Sequence, residues 1–228
     1  MSLNSLTQWF AENSRLVDLL VSALGETLTM VLVAGAIGFV LGIPLGVLLH
    51  LTKRGSLLEN RTLNKVLGSV VNVGRSIPFI ILLVAIIPFT RFVVGTSIGT
   101  AAAIVPLTVG AIPFIARLVE GALIEVPSGL VEAAQAMGAT PLQIITKVLL
   151  PEALPGILNG VTITLVTLVS YSAMAGAVGG GGLGDVGIRY GYQRFDGSVM
   201  MITVVMLVIL VQLIQSSGDY LVRKVDHR

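Results

Sequence analysis

The 228-residue chain contains no cysteine, and only 11% of its residues are charged. The absence of cysteine excludes a disulfide framework and any thiolate site. The low charge, together with an apolar fraction of 54%, lies outside the range of soluble proteins. The mean hydropathy of +0.95 points the same way. This composition predicts an all-α integral membrane protein whose core is a helix bundle in lipid.

Residues that carry chemistry are also scarce. The two histidines, His50 and His227, have no metal-ligand residues beside them, and no lysine follows a glycine, so a GxxxxGK[ST] phosphate loop is absent. The run Gly179–Gly184 matches GxGxxG but does not lie in a βαβ unit, which argues against dinucleotide binding. We expect no enzyme activity, cofactor or metal on this chain, and we interpret the glycine run as a flexible or tightly turned external connection that closes a pathway or meets a partner.

Long uncharged runs predict five transmembrane helices within a single domain, 1–228. Each run is long enough to cross ~30 Å of hydrocarbon at ~1.5 Å per residue. The predicted spans are approximately 27–51, 67–88, 98–119, 153–178 and 198–217. Residues 1–24 are expected to form an amphipathic segment at the membrane interface. No cleaved signal peptide is expected, because no apolar core with a cleavage site precedes the first basic residue, Arg15.

The basic residues predict the orientation of these spans. If the amino terminus is outside, ten basic residues lie on the inner side and four lie outside, namely Arg15, Arg91, Arg189 and Arg194. The positive-inside rule favours this arrangement, with the carboxyl terminus in the cytoplasm. The formal net charge of +2 is therefore interpreted as a topology signal, and no nucleic-acid partner is expected.

Several spans contain residues that lipid does not favour. Gly38, Gly42 and Gly46 recur every four residues and predict close helix packing, with a kink at Pro44. Arg75 lies about two turns inside the second span, where it could snorkel to the surface, form a structural ion pair, or line a wet gate or vestibule. We expect no carboxylate or histidine well inside a span.

The fourth span carries a polar and small-residue stripe on one broad face. The members of the stripe are Asn159, Gly160, Thr164, Thr167, Ser170, Tyr171, Met174 and Val178. Such a stripe in lipid should face protein or water. It either lines a route for a small solute or packs within its own bundle.

The segment between the third and fourth spans predicts a helix outside the hydrocarbon. Ser128 is a candidate N-cap, Gly138 a candidate left-handed stop, and Thr140-Pro141 can begin a second helix. Four apolar residues share one face of the coupling helix, approximately 128–138: Leu130, Ala133, Ala134 and Met137. Glu132 and Gln135 point to the other face. The apolar face is either a docking face for a partner or packs on the chain itself.

The same segment resembles the cytoplasmic coupling loop of bacterial ABC importer permeases. Glu132-Ala133-Ala134, Gly138 and Leu150-Pro151 match the family pattern in register, with Val148 where the family usually has isoleucine. Further stretches resemble the permease subunits of bacterial methionine importers. These stretches are 75–83, 87–91, 94–99, 103–110 and 171–174.

The resemblance implies a permease subunit that moves L-methionine, with D-methionine as a further candidate, across the bacterial inner membrane by alternating access. It implies a homodimer, an ATPase subunit under each copy that binds ATP and Mg, and a periplasmic substrate-binding lipoprotein. The implied ATPase-coupling residues are Leu130, Glu132, Ala133, Ala134, Met137 and Gly138. The candidate pathway and gate residues are Thr167, Ser170, Tyr171, Ser172 and Met174.

Four alternatives remain open at this point. The chain could be an ABC importer permease for another small solute, an ion-coupled secondary transporter, a channel, or a purely structural membrane scaffold. Uptake driven by an ion gradient without ATP would identify the second, and conductance of the single purified subunit would identify the third.

Overall fold

A computed structural model of the protein describes residues 14–226, and within them it contains helices and turns but no strand. This confirms the predicted all-α fold. In chain order the helices are α1 (Ser14–Leu51), α2 (Arg61–Ser76), α3 (Phe79–Ala85), α4 (Ile87–Val94), α5 (Thr100–Ile124), α6 (Ser128–Ala136), α7 (Pro141–Ala177), α8 (Gly182–Val186) and α9 (Gly197–Val225). A π-helical turn, Ile145–Leu149, lies within α7, and another, Gly187–Tyr192, follows α8.

The centre of the bundle is the contact between α1 and α5, which the predicted glycines make possible. A Cβ atom on Gly42 would lie 2.8 Å from the side chain of Ile115, and one on Gly46 would lie 2.5 Å from the Ala116 carbonyl oxygen. These separations are too short for any side chain, so the two backbones approach closely only because glycine is present.

The direction of this contact determines the topology. Gly38 lies beside Ala111 and Gly46 lies beside Val119, so α1 and α5 run parallel. Two parallel helices in one membrane need an odd number of crossings between them, and the chain from α2 to α4 must therefore return across the bundle.

The α2 to α4 segment does make this return. Gly74 contacts Pro113, Gly110 faces Phe79, and Thr90 shares a cavity lining with Ala102, so this segment runs antiparallel to α5. With α1, α5, α7 and α9, which are each long and apolar enough to span, the described chain makes five crossings.

The predicted second span, 67–88, is wrong in one respect, because it is not one continuous helix. α2 and α3 are bent by 99° at Ile77-Pro78. Pro78 has no N–H to continue the hydrogen bonding of α2, and its ring disfavours a helical conformation at Ile77. The break lies beside the middle of α5, where Gly74 contacts Pro113.

The first and fourth spans begin earlier than predicted. Residues 14–24 belong to α1 rather than to a separate interfacial segment, because Leu20 and Ala23 are buried against Leu183 and Val199. Residues 1–13 of that predicted segment lie outside the described residues. α7 begins at Pro141 because the π-helical turn continues the helix into the predicted span 153–178.

The glycine run after α7 forms a tight turn held on α1. Gly181 and Gly182 have φ of +81° and +76°. The Gly182 N–H donates to Glu26 Oε2 at 2.6 Å, and the Leu183 N–H donates to Thr27 Oγ1 at 2.9 Å. Only glycine adopts such backbone angles without strain, which explains this composition at the turn.

Candidate functional site

The short helix α6 and the long helix α7 meet at Gly138; the sequence predicted this junction at a glycine but a short second helix. Gly138 has φ of +77°, and its N–H donates to the Gln135 carbonyl oxygen at 2.9 Å. Thr140 caps the next segment, since its hydroxyl oxygen accepts from the Gln143 N–H, and Pro141 is the first helical residue. The predicted N-cap is wrong by one residue, because Pro127 holds that position and Ser128 is the first residue of α6.

The residues of the predicted docking face of α6 differ in how far they are exposed. Leu130 is 42% exposed, Met137 is 81% exposed and Ala133 is exposed, whereas Ala134 is only 4% exposed. Ala134 packs into the main core together with Val131. The prediction that Ala134 lies on the docking face is therefore wrong, because this side of α6 is the one that rests on the chain. We define the docking face as Leu130, Ala133 and Met137.

A cleft of about 390 Å³ separates α6 from the carboxyl-terminal end of α1. Glu132 and Gln135 line it on the α6 side, and His50 and Lys53 line it on the other side. Glu132 is exposed. α6 thus stands partly free of the bundle, with a polar edge toward the cleft and a docking face that is exposed in the described chain.

Glu120, near the carboxyl-terminal end of α5, is a buried carboxylate that sequence reasoning did not single out as a functional residue. Its side chain is 2% exposed, with Lys53 Nζ at 2.8 Å and Arg117 Nη1 at 2.6 Å. Arg117 also donates to Asn72 Oδ1 on α2. The i, i+3 spacing of Arg117 and Glu120 was the available signal. These contacts join the loop after α1 to α2 and α5 next to the cleft.

The stripe on α7 is divided in the same way as α6. Met174 is 46% exposed, Ser170 is exposed, and the Thr167 hydroxyl donates to its own helix at the Ile163 carbonyl oxygen, 2.8 Å away. Thr164 of the stripe, in contrast, is 1% exposed. The candidate pathway residue Ser172, which is not part of the stripe, is also 1% exposed and donates to the Val169 carbonyl oxygen at 2.7 Å. The prediction that Ser172 lines a pathway is therefore wrong, because its hydroxyl is buried within the described chain.

The family comparison decides the class of protein to which this fold and docking helix belong. Residues 38–228 match the family described as binding-protein-dependent transport system inner membrane component. The chain belongs to this family. It is a permease, the membrane-embedded transport component.

Relatives of this permease are similar over most or all of its length. The chain is 72% identical over 228 residues, all of both chains, to a Vibrio cholerae protein described as "Probable D-methionine transport system permease protein MetI". It is 64% identical over 158 residues, 69% of this chain and 73% of the relative, to the D-methionine transport system permease protein MetI of Escherichia coli K12.

Solved structures agree with the fold of the permease. A chain from an inward-facing conformation of the MetNI methionine ABC transporter matches with a TM-score of 0.90 and 61% identity, covering 92% of this chain and 97% of that one. A chain of an amino acid ABC transporter crystallised with histidines matches with a TM-score of 0.77 at 18% identity, covering 98% and 99%. The second likeness concerns the fold alone.

The permease also carries one arginine at an unusual depth. Arg75 lies at the end of α2 next to the Ile77-Pro78 break, and it is exposed. Within residues 14–226 no carboxylate pairs with it, so the structural ion pair considered for Arg75 is not formed in this part of the chain. Tyr171 lies nearby and stacks on Phe79, with ring centroids 4.3 Å apart.

Two charge pairs lie outside the spans of the permease, one in and beside the loop after α1 and one in and after α8. The Gly55 N–H and the Arg61 guanidinium lower the pKa of Glu59 in the loop after α1. Asp185 raises the pKa of Arg189 in the segment after α8. Among residues 14–226, no group of three or more histidine, cysteine, aspartate or glutamate side chains could hold a metal ion.

Proposed function

We propose that this chain is the permease subunit of an ATP-driven importer of methionine. The observation that carries the proposal is α6, a short helix between two spans that has an exposed apolar face. The 72% identical V. cholerae relative and the MetNI structure support methionine as the solute. L-Methionine and D-methionine are both candidate substrates.

In the proposed assembly, two copies of this chain form a homodimer and each receives one ATPase subunit. The docking face enters a cleft on the ATPase subunit, which binds ATP and Mg. Glu132 lies at the edge of this face and pairs with a basic side chain of the ATPase. Ala134 and Gly138 support coupling without lying on the docking face. Ala134 anchors α6 on the bundle, and Gly138 allows the turn into α7.

Movement of α6 reaches the outer side through two long helices. α5 ends three residues before α6, and α7 begins four residues after it. Because both helices are continuous through the bundle, displacement of α6 shifts their outer ends as rigid bodies. ATP-driven closure of the ATPase pair thereby alternates access to the two sides of the membrane.

Four members of the α7 stripe that are exposed or partly exposed line the proposed pathway. Thr167, Ser170, Tyr171 and Met174 remain candidates, with Met174 at the gate because it is exposed near the outer end of α7. The whole chain, 1–228, serves as one transmembrane domain in the bacterial inner membrane. The amino terminus is periplasmic, the carboxyl terminus is cytoplasmic, and a substrate-binding lipoprotein docks on the periplasmic side.

The surroundings of Glu120 favour ATP over an ion gradient as the energy source. A carboxylate that carries a coupled proton or sodium ion needs to become free during the cycle. Glu120 is held by two cations and lies near the inner end of α5, which fits a structural role.

Uptake of radiolabelled methionine into vesicles that contain the permease and its ATPase tests the proposal. We expect uptake that requires ATP and the binding lipoprotein and does not respond to ion gradients. E132A should reduce uptake more than ATP hydrolysis, whereas E59Q, which changes an exposed carboxylate in another cytoplasmic loop, should leave both unchanged. Gradient-driven uptake without ATP would contradict the proposal.

A second pair of variants separates coupling from backbone strain. G138V places a β-branched residue at φ of +77°, and G55V does so at φ of +79° in the loop after α1. Both substitutions are strained, but only Gly138 shapes the docking helix. We expect G138V to uncouple ATP hydrolysis from uptake and G55V to retain coupling. Equal uncoupling by both would remove Gly138 from the coupling role.

A further inference from the structure

A small cavity lies beside the break between α2 and α3, separate from the α6 site. Its volume is about 160 Å³. The residues that matter for its chemistry are Gly74, Arg75, Phe79, Gly110, Phe114 and Tyr171. An apolar protein cavity of ~150 Å³ holds a benzene-sized molecule, so this cavity is large enough for a small organic solute.

The depth of the cavity makes Arg75 unusual. Gly74 contacts Pro113, which lies close to the middle of α5. An arginine at this level is unfavourable unless it faces water or an anion. No described carboxylate pairs with Arg75, and its guanidinium therefore has donors available for an anionic group of a solute.

The other side chains that line the cavity are apolar or aromatic, with Ile77 and Leu82 beside three aromatic rings. Phe79 and Tyr171 form a stacked pair with an interplanar angle of 5°, and Phe114 lines the same cavity. Aromatic rings make favourable contacts with sulfur and with unbranched apolar chains. A charged group at one edge and apolar and aromatic side chains elsewhere match the two ends of an amino acid that has an apolar side chain.

The helix break supplies a complementary acceptor. Residue 78 is proline, so the carbonyl oxygen of Gly74 has no N–H four residues later from which to accept a hydrogen bond. Gly74 also lines the cavity. A carbonyl freed at a broken helix is tolerated at membrane depth where it faces a cavity, and here it can accept from an ammonium group.

We propose that this cavity is a transit site of the permease for an amino acid with an apolar or thioether side chain. The guanidinium of Arg75 binds the α-carboxylate, the Gly74 carbonyl accepts from the ammonium group, and the three aromatic rings contact the side chain. The proposal rests on the proposed import of methionine and adds the residues that recognise the solute inside the membrane.

The test compares methionine with methioninamide, which lacks the carboxylate. Both compete against radiolabelled L-methionine on the permease–ATPase complex in nanodiscs without the binding lipoprotein. For the wild type we expect methionine to bind at least about tenfold more tightly than the amide, since a hydrogen bond to a charged group is worth about that factor. In R75Q this ratio should fall to about one, and in R75K it should partly recover.

The matched control is K65Q, which removes an exposed positive charge from the same helix away from the cavity. It should keep the wild-type ratio. A merely structural role of Arg75 would weaken both ligands equally and leave the ratio unchanged in R75Q, and that result would overturn the proposal.

A thiol-protection measurement tests whether methionine occupies the proposed transit site even if R75Q fails to assemble. Because the chain has no cysteine, I77C introduces a single thiol at the cavity, where Ile77 is a lining residue with no role in the proposed binding of the solute. Saturating methionine should slow its reaction with a small methanethiosulfonate reagent at least about threefold, and an unchanged rate would overturn the proposal. If ATP-dependent methionine uptake is normal but these effects are absent, only the transit site fails; if wild-type uptake of methionine is itself absent, the proposed function fails.

Discussion

At the scale of single residues, Glu120 shows how a charge is accommodated near the end of a span. Its carboxylate is 2% exposed and has cations at 2.8 Å and 2.6 Å. A buried carboxylate remains charged only when such partners replace water. Lys53 comes from the loop after α1 and Arg117 from α5, so the three charges fix that loop against the bundle beside the cleft.

Replacing Glu120 should therefore destabilise the permease. In E120Q two cations lose their shared partner, and we expect a loss of about 2 kcal/mol, less than for a fully buried pair because Lys53 and Arg117 are about one-third exposed. Thermal unfolding in detergent measures the effect as a lower Tm.

E59Q is the control for this substitution. Glu59 pairs with Arg61 at the surface, and exposed pairs contribute little. Because the Gly55 N–H and Arg61 lower the pKa of Glu59, its contribution is present at neutral pH and is lost only when the pH falls through that lowered pKa. Equal falls in Tm for the two variants at neutral pH would contradict the special role of Glu120.

At the scale of elements, the contact between α1 and α5 depends on where α1 lacks side chains. Gly42 and Gly46 face α5 at distances that exclude a Cβ atom, whereas a Cβ atom on Gly25 of the same helix would meet no neighbouring element within 4 Å. Gly42 and Gly46 therefore allow close packing against α5, whereas Gly25 makes no such contact with a neighbouring element.

G46A should separate α1 from α5. A methyl group 2.5 Å from the Ala116 carbonyl oxygen forces the backbones apart, and we expect destabilisation of about 1–3 kcal/mol. G25A adds the same methyl group in open space and should be neutral or slightly stabilising, because alanine favours a helix. Tm values of the two purified variants test the difference, and a G46A protein as stable as G25A would refute the packing argument.

The docking face of α6 is an element-scale feature as well. M137E places a charge on a side chain that is 81% exposed, so folding should be little affected. If the docking face enters an ATPase cleft, the charge is desolvated there and the Kd for the ATPase should rise at least about tenfold.

L58E provides the control for M137E. Leu58 is 47% exposed and lies in the loop after α1 rather than on α6. Binding of purified ATPase to permease variants in nanodiscs gives the two Kd values. ATPase binding by M137E that matches L58E and the wild type would exclude Met137 from the interface.

At the scale of the whole molecule, the parallel contact of α1 and α5 requires that the bent α2 to α4 segment crosses the bundle. Five crossings place the start of α1 and the end of α9 on opposite sides. The count could not be settled from helix lengths, because four helices are long enough to span alone and the bent pair is ambiguous.

Single cysteines in this cysteine-free chain test the orientation. T96C, before α5, should react with a membrane-impermeant maleimide in cells whose outer membrane has been permeabilised. L58C and M137C should react only after the inner membrane is opened. Reaction of M137C with the inner membrane intact would place α6 outside and contradict the proposed ATPase contact.

The sequence by itself determined the features that depend on neighbouring residues. Apolar run length predicted a membrane helix bundle, and Gly138 with Thr140-Pro141 predicted two helical segments that meet at a glycine, because backbone angles and capping act over a few positions. The glycine spacing on α1 likewise predicted a close contact, although not its partner.

Only the tertiary structure decided which faces and charges those helices present. Three features depend on contacts between residues of different elements. They are the burial of Ala134 and Ser172, the pairing of Glu120 with Lys53, and the cavity between Arg75 and Tyr171. Periodicity identifies an apolar or polar face, but burial depends on which distant helix covers it. For the same reason the crossing by α2 to α4 became evident only from the direction of the α1–α5 contact.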